Sequence, residues 1–179
     1  MKDRKAFDLR KVLFCWNMLI SLGIVVAFVR FTEDFSDSFF NEGLYVSLCY
    51  SVDPYGVAAF YASFYGILKI VELGDTFFIV FRKRRLTFLH WFHHASALVY
   101  VFHCGAEHTG SGRIFMVMNC FVHALLYPYF AMKSLGYQMP RIIPILLTSI
   151  QIFQLFIGVL VIGYVINVKL EASLPAIRE

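Results

Sequence analysis

Three of the chain's six histidines lie in one strongly apolar segment, LHWFHHA, at residues 89–95. His90, His93 and His94 are spaced i, i+3 and i+4, which puts them on one face of a helix. A lone histidine there is most often a satisfied core residue, whereas three on one face predict a site. Imidazoles at this spacing bind metals, and imidazole also serves as acid, base or nucleophile near neutral pH. The spacing alone leaves these chemistries open.

A cation and two carboxylates occur upstream in KIVELGDT, where Lys69, Glu72 and Asp75 follow one another at three-residue steps. Residues at this spacing stay close together on one side of a helix. Ionisable groups are costly in an apolar segment, so each one marks a functional site by default. The alternative is a structural ion-pair network, in which Lys69 extends toward the membrane surface. Both interpretations stand for Lys69 and Glu72.

A third polar set lies in MNCFVHALLYPYF, where Asn119, His123 and Tyr127 are spaced i, i+4 and i+8. They share one helix face, and Tyr129 follows. Tyrosine alone would be a routine interfacial aromatic residue, but asparagine and histidine on the same face make this a candidate site. Pro128 frees a backbone carbonyl and predicts a kink in the helix.

A fourth set lies in TSIQIFQ, where Thr148, Gln151 and Gln154 follow at three-residue steps. Interhelical hydrogen bonds explain these residues as well as direct contact with a substrate does.

The composition predicts an all-α, polytopic bundle of transmembrane helices. Hydrophobic residues make up 59% of the 179 residues and charged residues 16%, against about 45–50% and 25% in soluble domains. The first apolar segment is too long for a cleavable signal peptide and lacks a small-residue cleavage site. A span needs about 20 apolar residues, and five candidates lie at about 12–31, 55–81, 86–104, 114–132 and 142–168.

Basic and non-basic connections between these spans alternate. The N-terminal stretch, the RKRR loop at 82–85 and the loop at 133–141 are basic, which predicts that they are cytoplasmic. The acidic loop at 32–54 and the loop at 105–112 then lie on the other side. Three of the four polar sets fall toward the cytoplasmic half, which predicts a polar pocket that takes a long apolar substrate with a charged head.

Other functional classes find little support. Basic residues cluster in short loops rather than along a face, so nucleic acid is not an expected partner. The four cysteines lie far apart without a CxxC pair, which signals neither a zinc site nor a disulfide scaffold.

In this order, KIVELGDTFF, LHWFHHA, MNCFVHALLYPYF and TSIQIFQ resemble the four motifs of the ELO family of very-long-chain fatty acid elongases. The family patterns run KxxExxDT, HxxHH, NxxxHxxMYxYY and TxxQxxQ. The histidine box alone is weak evidence, because membrane desaturases also carry such boxes. Four motifs in order across residues 65–155 are specific. Leu126 replaces the usual methionine and Pro128 separates Tyr127 from Tyr129, but neither departure removes a candidate catalytic group.

The resemblance implies a multi-pass 3-oxoacyl-CoA synthase of the endoplasmic reticulum membrane. Such an enzyme condenses a long-chain acyl-CoA with malonyl-CoA, releases carbon dioxide and CoA, and uses no metal or other cofactor. Its expected partners are membrane lipid, the two CoA substrates, and possible further copies or other elongation-cycle enzymes. Cys120 has no motif role, so we expect an imidazole rather than a thiol to accept the acyl group.

From the chemistry that such a condensation requires, we hypothesise roles for residues of this chain. His93 and His123 are the candidates to take the acyl group, with His90 and His94 orienting or donating protons. Asn119 and Tyr127 are the expected donors to the oxyanion or thioester. The candidate substrate-binding residues are Lys69, Glu72, Asp75, Arg82, Lys83, Arg84, Arg85, Tyr129, Thr148 and Gln151, of which the basic ones would meet CoA phosphates.

The family has seven spans, and the five predicted here correspond to its second to sixth. Residues 1–168 are therefore expected to form an incomplete ELO-type membrane domain, followed by a polar tail at 169–179. One alternative is a truncated, inactive elongase-like membrane protein, and another is a transporter. A di-iron desaturase or hydroxylase is the alternative enzyme, but it needs more histidine ligands than six and would have to recruit His103 and His108 from the opposite membrane face.

Overall fold

This computed structural model describes residues 7–173, except for the side chains of Leu89, Ala172 and Ser173. The secondary structure of that range consists of seven α-helices. No strand occurs within that range, so the predicted all-α bundle is confirmed. The helices are α1 (Arg10–Glu42), α2 (Leu44–Cys49), α3 (Val57–Glu72), α4 (Gly74–Phe81), α5 (Phe88–Ala106), α6 (Gly112–Ser134) and α7 (Ile142–Ser173).

Three helices in the described range are long and apolar enough to cross a membrane, namely α1, α6 and α7. They contain the first, fourth and fifth predicted spans. Helix α5 has 19 residues, but its four histidines make it too polar to qualify by composition. The predicted second span, 55–81, is wrong as a single helix, because it consists of α3 with 16 residues and α4 with 8.

The break between α3 and α4 coincides with the closest approach of α1. Backbone hydrogen bonds from Leu73 N to the Ile70 carbonyl (3.2 Å) and from Thr76 N to the Leu73 carbonyl (3.1 Å) tighten the chain there. A Cβ atom at Gly74 would lie 2.5 Å from Cζ2 of Trp16, far inside contact distance. Glycine is therefore required at this position for the indole ring to lie against the backbone of the break.

The acidic segment at 32–54 was predicted to be a loop, but most of it is helical, and only Gly43 and residues 50–54 lie outside helices. Helix α1 runs on to Glu42, and α2 follows after Gly43, whose φ of +89° suits glycine. Side chains one turn apart support this extension, as in the hydrogen bond of 2.8 Å from Ser38 Oγ to Glu42 Oε2. With 33 residues α1 is about 50 Å long, which exceeds the hydrocarbon thickness of a bilayer.

The buried core lies where α1 packs against α6 and α3. Its residues are Ile20, Ile24, Ala27, Phe31, Tyr65, Leu68, Cys120 and Tyr127. Helix α5 packs on α3, while α7 lies chiefly along α6, where Gly158 lets Phe115 approach. Most apolar side chains of α7 are exposed, as expected of a helix that faces lipid.

Contacts between helix termini show which ends of the bundle lie together. Phe7 N donates to the Phe81 carbonyl (3.3 Å) and Ser134 Oγ to the Arg10 carbonyl (3.3 Å). The start of α1 and the ends of α4 and α6 therefore share one end, which carries the basic segments. At the opposite end Arg113 forms a 2.9 Å ion pair with Asp34. This arrangement matches the predicted grouping of basic and acidic connections.

One further boundary differs from that expected. Helix α7 continues to Ser173, so the predicted polar tail begins within a helix, and its last residues, 174–179, lie outside the described range, as do residues 1–6. Pro128 lies inside α6, which runs through it, and the kink predicted there stays a prediction.

We expect Gly74→Ala to destabilise the fold, because the added Cβ would collide with the Trp16 ring. Overpacking of this kind costs about 1–3 kcal/mol. The midpoint of unfolding in mixed detergent micelles should fall accordingly. Gly163→Ala in α7 is the matched control, since nothing lies within 4 Å of a Cβ there. Equal midpoints for the two variants would contradict the close approach of Trp16.

Candidate functional site

A buried ion pair on α3 forms the centre of the site. Lys69 Nζ donates to both carboxylate oxygens of Glu72, at 2.7 and 2.9 Å. The two side chains expose only 3% and 1% of their surface. They lie one helical turn apart, at the end of α3 just before its break, and their burial makes each charge dependent on the other.

Two histidines from other helices reach the carboxylate of this pair. His123 on α6 places Nδ1 3.5 Å from Glu72 Oε1 and 3.5 Å from Lys69 Nζ. His94 on α5 places Nδ1 3.8 Å from Glu72 Oε2. Glu72 is thus the point at which α3, α5 and α6 meet. Because Nδ1 of His123 faces the ion pair, Nε2 is the nitrogen of that ring left for other chemistry.

The remaining histidines of the box extend this cluster outward. His93 and His123 have ring centroids 6.2 Å apart, and His93 and His94 are 5.7 Å apart. His90 packs on His94 at 4.5 Å. His123 is buried and His90 and His94 are partly buried, whereas His93 is exposed. The four imidazoles therefore run from the bundle surface at His93 to the ion pair at its centre.

Asn119 is held on the other side of Lys69. Tyr65 donates its hydroxyl to Asn119 Oδ1 at 2.7 Å, and its ring lies 4.9 Å from Lys69 Nζ. Since the carbonyl oxygen accepts this bond, the amide NH₂ of Asn119 stays available as a donor. The ring of Tyr65 also shields the ammonium group through a cation–π contact.

Tyr127 and Asp75 form a second polar link between α6 and α4. The Tyr127 hydroxyl donates to Asp75 Oδ2 at 2.9 Å, and Trp16 Nε1 on α1 donates to Asp75 Oδ1 at 2.7 Å. The Tyr127 ring is 5.7 Å from that of His123. The three ionisable residues of KIVELGDT therefore have different neighbours. Lys69 and Glu72 face the histidines, whereas Asp75 faces Trp16 of α1 and Tyr127 of α6.

Other predicted substrate-binding residues lie apart from this cluster. The RKRR segment follows α4, with Arg82 partly buried and Lys83, Arg84 and Arg85 exposed. Tyr129 accepts a hydrogen bond from Lys133 Nζ at 3.2 Å and borders a shallow cavity of about 330 Å³ with Tyr137, Gln138 and Met139. These residues lie at the basic end of the bundle.

The predicted polar set of α7 also lies away from the histidines. Thr148 is exposed and its hydroxyl donates to the Pro144 carbonyl in its own helix at 2.9 Å. Gln151 is partly exposed, and α7 packs chiefly on α6. Neither residue is brought to the ion pair in this arrangement of helices.

Two residues of the site lie outside the residues singled out in the sequence, namely Trp16 and Tyr65. Trp16 belongs to an apolar span that was treated only as a membrane segment, and Tyr65 precedes the KIVELGDT motif. One signal was available for Tyr65, which lies four residues before Lys69 and thus on the same face of α3. No pattern pointed to Trp16, because its contact depends on how α1 packs.

The described residues, 7–173, contain no group of three His, Cys, Asp or Glu side chains arranged to hold a metal ion. Lys69 also occupies the side of Glu72 where a cation would bind. His103, which a larger metal centre would have to recruit, lies in the last turn of α5, roughly 20 Å along the helix from His90. The arrangement is suited to proton transfer and acyl transfer by imidazole.

Comparison with known proteins gives a consistent result. Residues 1–173 match the family model described as ELO, the GNS1/SUR4 family. The chain is 43% identical over 98% of its length to "Putative fatty acid elongase 4" of Caenorhabditis elegans. It is 34% identical over 98% of its length to "Long chain fatty acid elongase 2" of the same organism. It is 34% identical over 90% of its length to "Very long chain fatty acid elongase 3" of Homo sapiens. The chain spans 60%, 65% and 60% of these three relatives.

We expect Glu72→Gln to destabilise the protein strongly, because it leaves the buried Lys69 ammonium without a counter-charge. Breaking a buried pair in this way costs roughly 3–5 kcal/mol. Unfolding in mixed micelles measures the loss. Glu33→Gln is the control, since its pair with Arg30 is exposed and should contribute little. If both variants unfold at the same denaturant concentration, the ion pair does not stabilise the bundle.

Proposed function

This chain belongs to the ELO (GNS1/SUR4) family, and from that premise we propose that it condenses a long-chain acyl-CoA with malonyl-CoA to give a 3-oxoacyl-CoA. The observation that carries this proposal is the row of imidazoles that ends on the buried Lys69–Glu72 pair. Such a row provides both a nucleophile and a fixed acid–base group within one apolar bundle.

In the proposed first step an imidazole nitrogen attacks the acyl thioester carbonyl. The carbon–sulfur bond breaks, CoA leaves as the thiol, and an acyl-imidazole remains. We assign the attack to His93, because it is the exposed member of the row, whereas His94 and His123 turn Nδ1 toward the Glu72 carboxylate. His123 is fixed through Nδ1 by the ion pair, which suits it to accept the proton or to take the acyl group in turn.

In the proposed second step malonyl-CoA loses carbon dioxide, and the resulting enolate attacks the acyl carbonyl. The nitrogen–acyl bond breaks, the imidazole is released and the product is two carbons longer. The amide NH₂ of Asn119 is the proposed donor to the transient oxyanions. Preorganised donors of this kind usually provide a large part of the rate enhancement in acyl transfer. The Tyr127 hydroxyl donates its one proton to Asp75, so we propose that its oxygen serves as an acceptor beside the imidazoles.

The placement of charge suggests how the substrates enter. The basic end carries Arg82, Lys83, Arg84 and Arg85, which we propose to meet CoA phosphates. Apolar surfaces of the bundle then take the acyl chain, with membrane lipid around them. We further propose the endoplasmic reticulum membrane as the location and other elongation-cycle enzymes or a second copy as partners.

A microsomal assay with labelled malonyl-CoA and a panel of acyl-CoAs tests this function. We expect label in a 3-oxoacyl product with the unchanged chain. His93→Ala should reduce it on the order of 100-fold or more, the scale expected when a catalytic acid, base or nucleophile is lost. Incubation with acyl-CoA alone should leave an acyl adduct on an imidazole, which mass spectrometry maps to His93 or His123.

The matched control is His103→Ala, since His103 is an exposed histidine of the same helix at its other end. It should retain the activity of the unchanged chain. No labelled product from the unchanged chain would reject condensation and favour a member of the family without this activity. An adduct on a cysteine would reject the imidazole step alone.

A further inference from the structure

Among the hydrogen bonds described for residues 7–173, one joins α1 to the polar site, and its donor is Trp16. Its indole N–H donates to Asp75 Oδ1 at 2.7 Å, while the Tyr127 hydroxyl donates to Asp75 Oδ2 at 2.9 Å. One carboxylate thus joins three helices through one donor on each oxygen. The donor from α1 lies 59 residues from Asp75 in the chain, outside all four motifs.

Packing alone does not account for this placement of the indole. The six-membered ring of Trp16 lies on Gly74, where a Cβ atom would collide with it. The ring centroids of Trp16 and Phe78 are 5.2 Å apart. A phenylalanine ring could fill part of that space, but indole adds a donor and no acceptor. Its donor is directed at the residue that in turn holds Tyr127.

The consequence falls on the Tyr127 hydroxyl. Tyr127 is buried and its ring lies 5.7 Å from that of His123. The hydroxyl position depends on Asp75, and the orientation of Asp75 depends on whether Oδ1 is held. Without the indole donor, Oδ1 of Asp75 loses the hydrogen bond that fixes the orientation of the carboxylate, and Tyr127 loses a fixed acceptor.

We propose that Trp16 is a positioning residue for the condensation, which acts through Asp75 to hold the Tyr127 hydroxyl and with it the ring that packs against His123. This inference rests on the function proposed above. It assigns to the first helix a part in the reaction that none of the family motifs on α3 to α7 contains. The role is positioning, since Trp16 acts on Tyr127 only through the carboxylate.

Trp16→Phe tests this role, because it keeps an aromatic ring on Gly74 and removes the donor. We expect kcat to fall roughly 10- to 100-fold, the scale of losing a well-positioned group. The KM values for acyl-CoA and malonyl-CoA should change little, since ground-state binding is untouched. Trp91→Phe is the matched control, because Trp91 is exposed on α5 and its replacement should leave kcat unchanged.

A double-mutant cycle separates positioning from general damage. If Trp16 acts through Tyr127, then Trp16→Phe should cost little more activity once Tyr127→Phe is present. Full additivity of the two losses would overturn the inference, even with normal condensation in the unchanged chain. Equal kcat for Trp16→Phe and the unchanged chain would overturn it as well.

A readout without catalysis keeps the inference testable if the condensation itself is absent. With 3-fluorotyrosine at position 127, the ¹⁹F resonance reports the surroundings of the hydroxyl. Trp16→Phe and Asp75→Asn should both displace or broaden that resonance, while Trp91→Phe should not. No labelled product from the unchanged chain, together with a displaced resonance, would reject the proposed function but retain the link from Trp16 to Tyr127. An unmoved resonance in Trp16→Phe would reject the link.

Discussion

The buried ammonium group of Lys69 is the constraint to which the helices around it conform. A charge in an apolar bundle is costly unless it is paired and hydrogen-bonded. Glu72 provides the charge partner one turn away, and the Tyr65 ring covers another side. His123 and His94 approach the same carboxylate from α6 and α5. The polar groups that would be costly one by one are therefore satisfied only where three helices meet.

The break after Glu72 places the two acidic residues of the site, Glu72 and Asp75, on different helices with different neighbours. Glu72 ends α3 and faces the imidazoles, whereas Asp75 lies in the first turn of α4 and faces Trp16 and Tyr127. Gly74 between them allows α1 to approach closely enough for the indole to reach Asp75. The glycine in this break thus joins α1, which also packs extensively on α6, to the polar groups of the site.

Residue spacing predicted which polar side chains lie together better than it predicted the helix boundaries. The i, i+3 and i+4 steps brought Lys69 to Glu72 and placed His90, His93 and His94 together, because helix geometry alone determines these distances. The break in the 55–81 span and the helical course of the acidic segment were missed. Both depend on tertiary contacts or local side-chain pairs that hydropathy does not register. Trp16 was missed for the same reason, since only the packing of α1 brings it to Asp75.

Solvent exposure of the four imidazoles decreases from His93 at the bundle surface to His123 at the ion pair. His93 is open at the surface of the bundle, and His123 is buried against a carboxylate that Lys69 already neutralises in part. Nδ1 of His123 lies 3.5 Å from both Glu72 Oε1 and Lys69 Nζ, so the two opposite charges of the ion pair act together on this ring. Removing Lys69 would leave the Glu72 carboxylate buried without its cationic partner. The ion pair therefore sets the electrostatic environment of His94 and His123 and also stabilises the packing of the three helices. Changing either Lys69 or Glu72 alone would alter both effects at once.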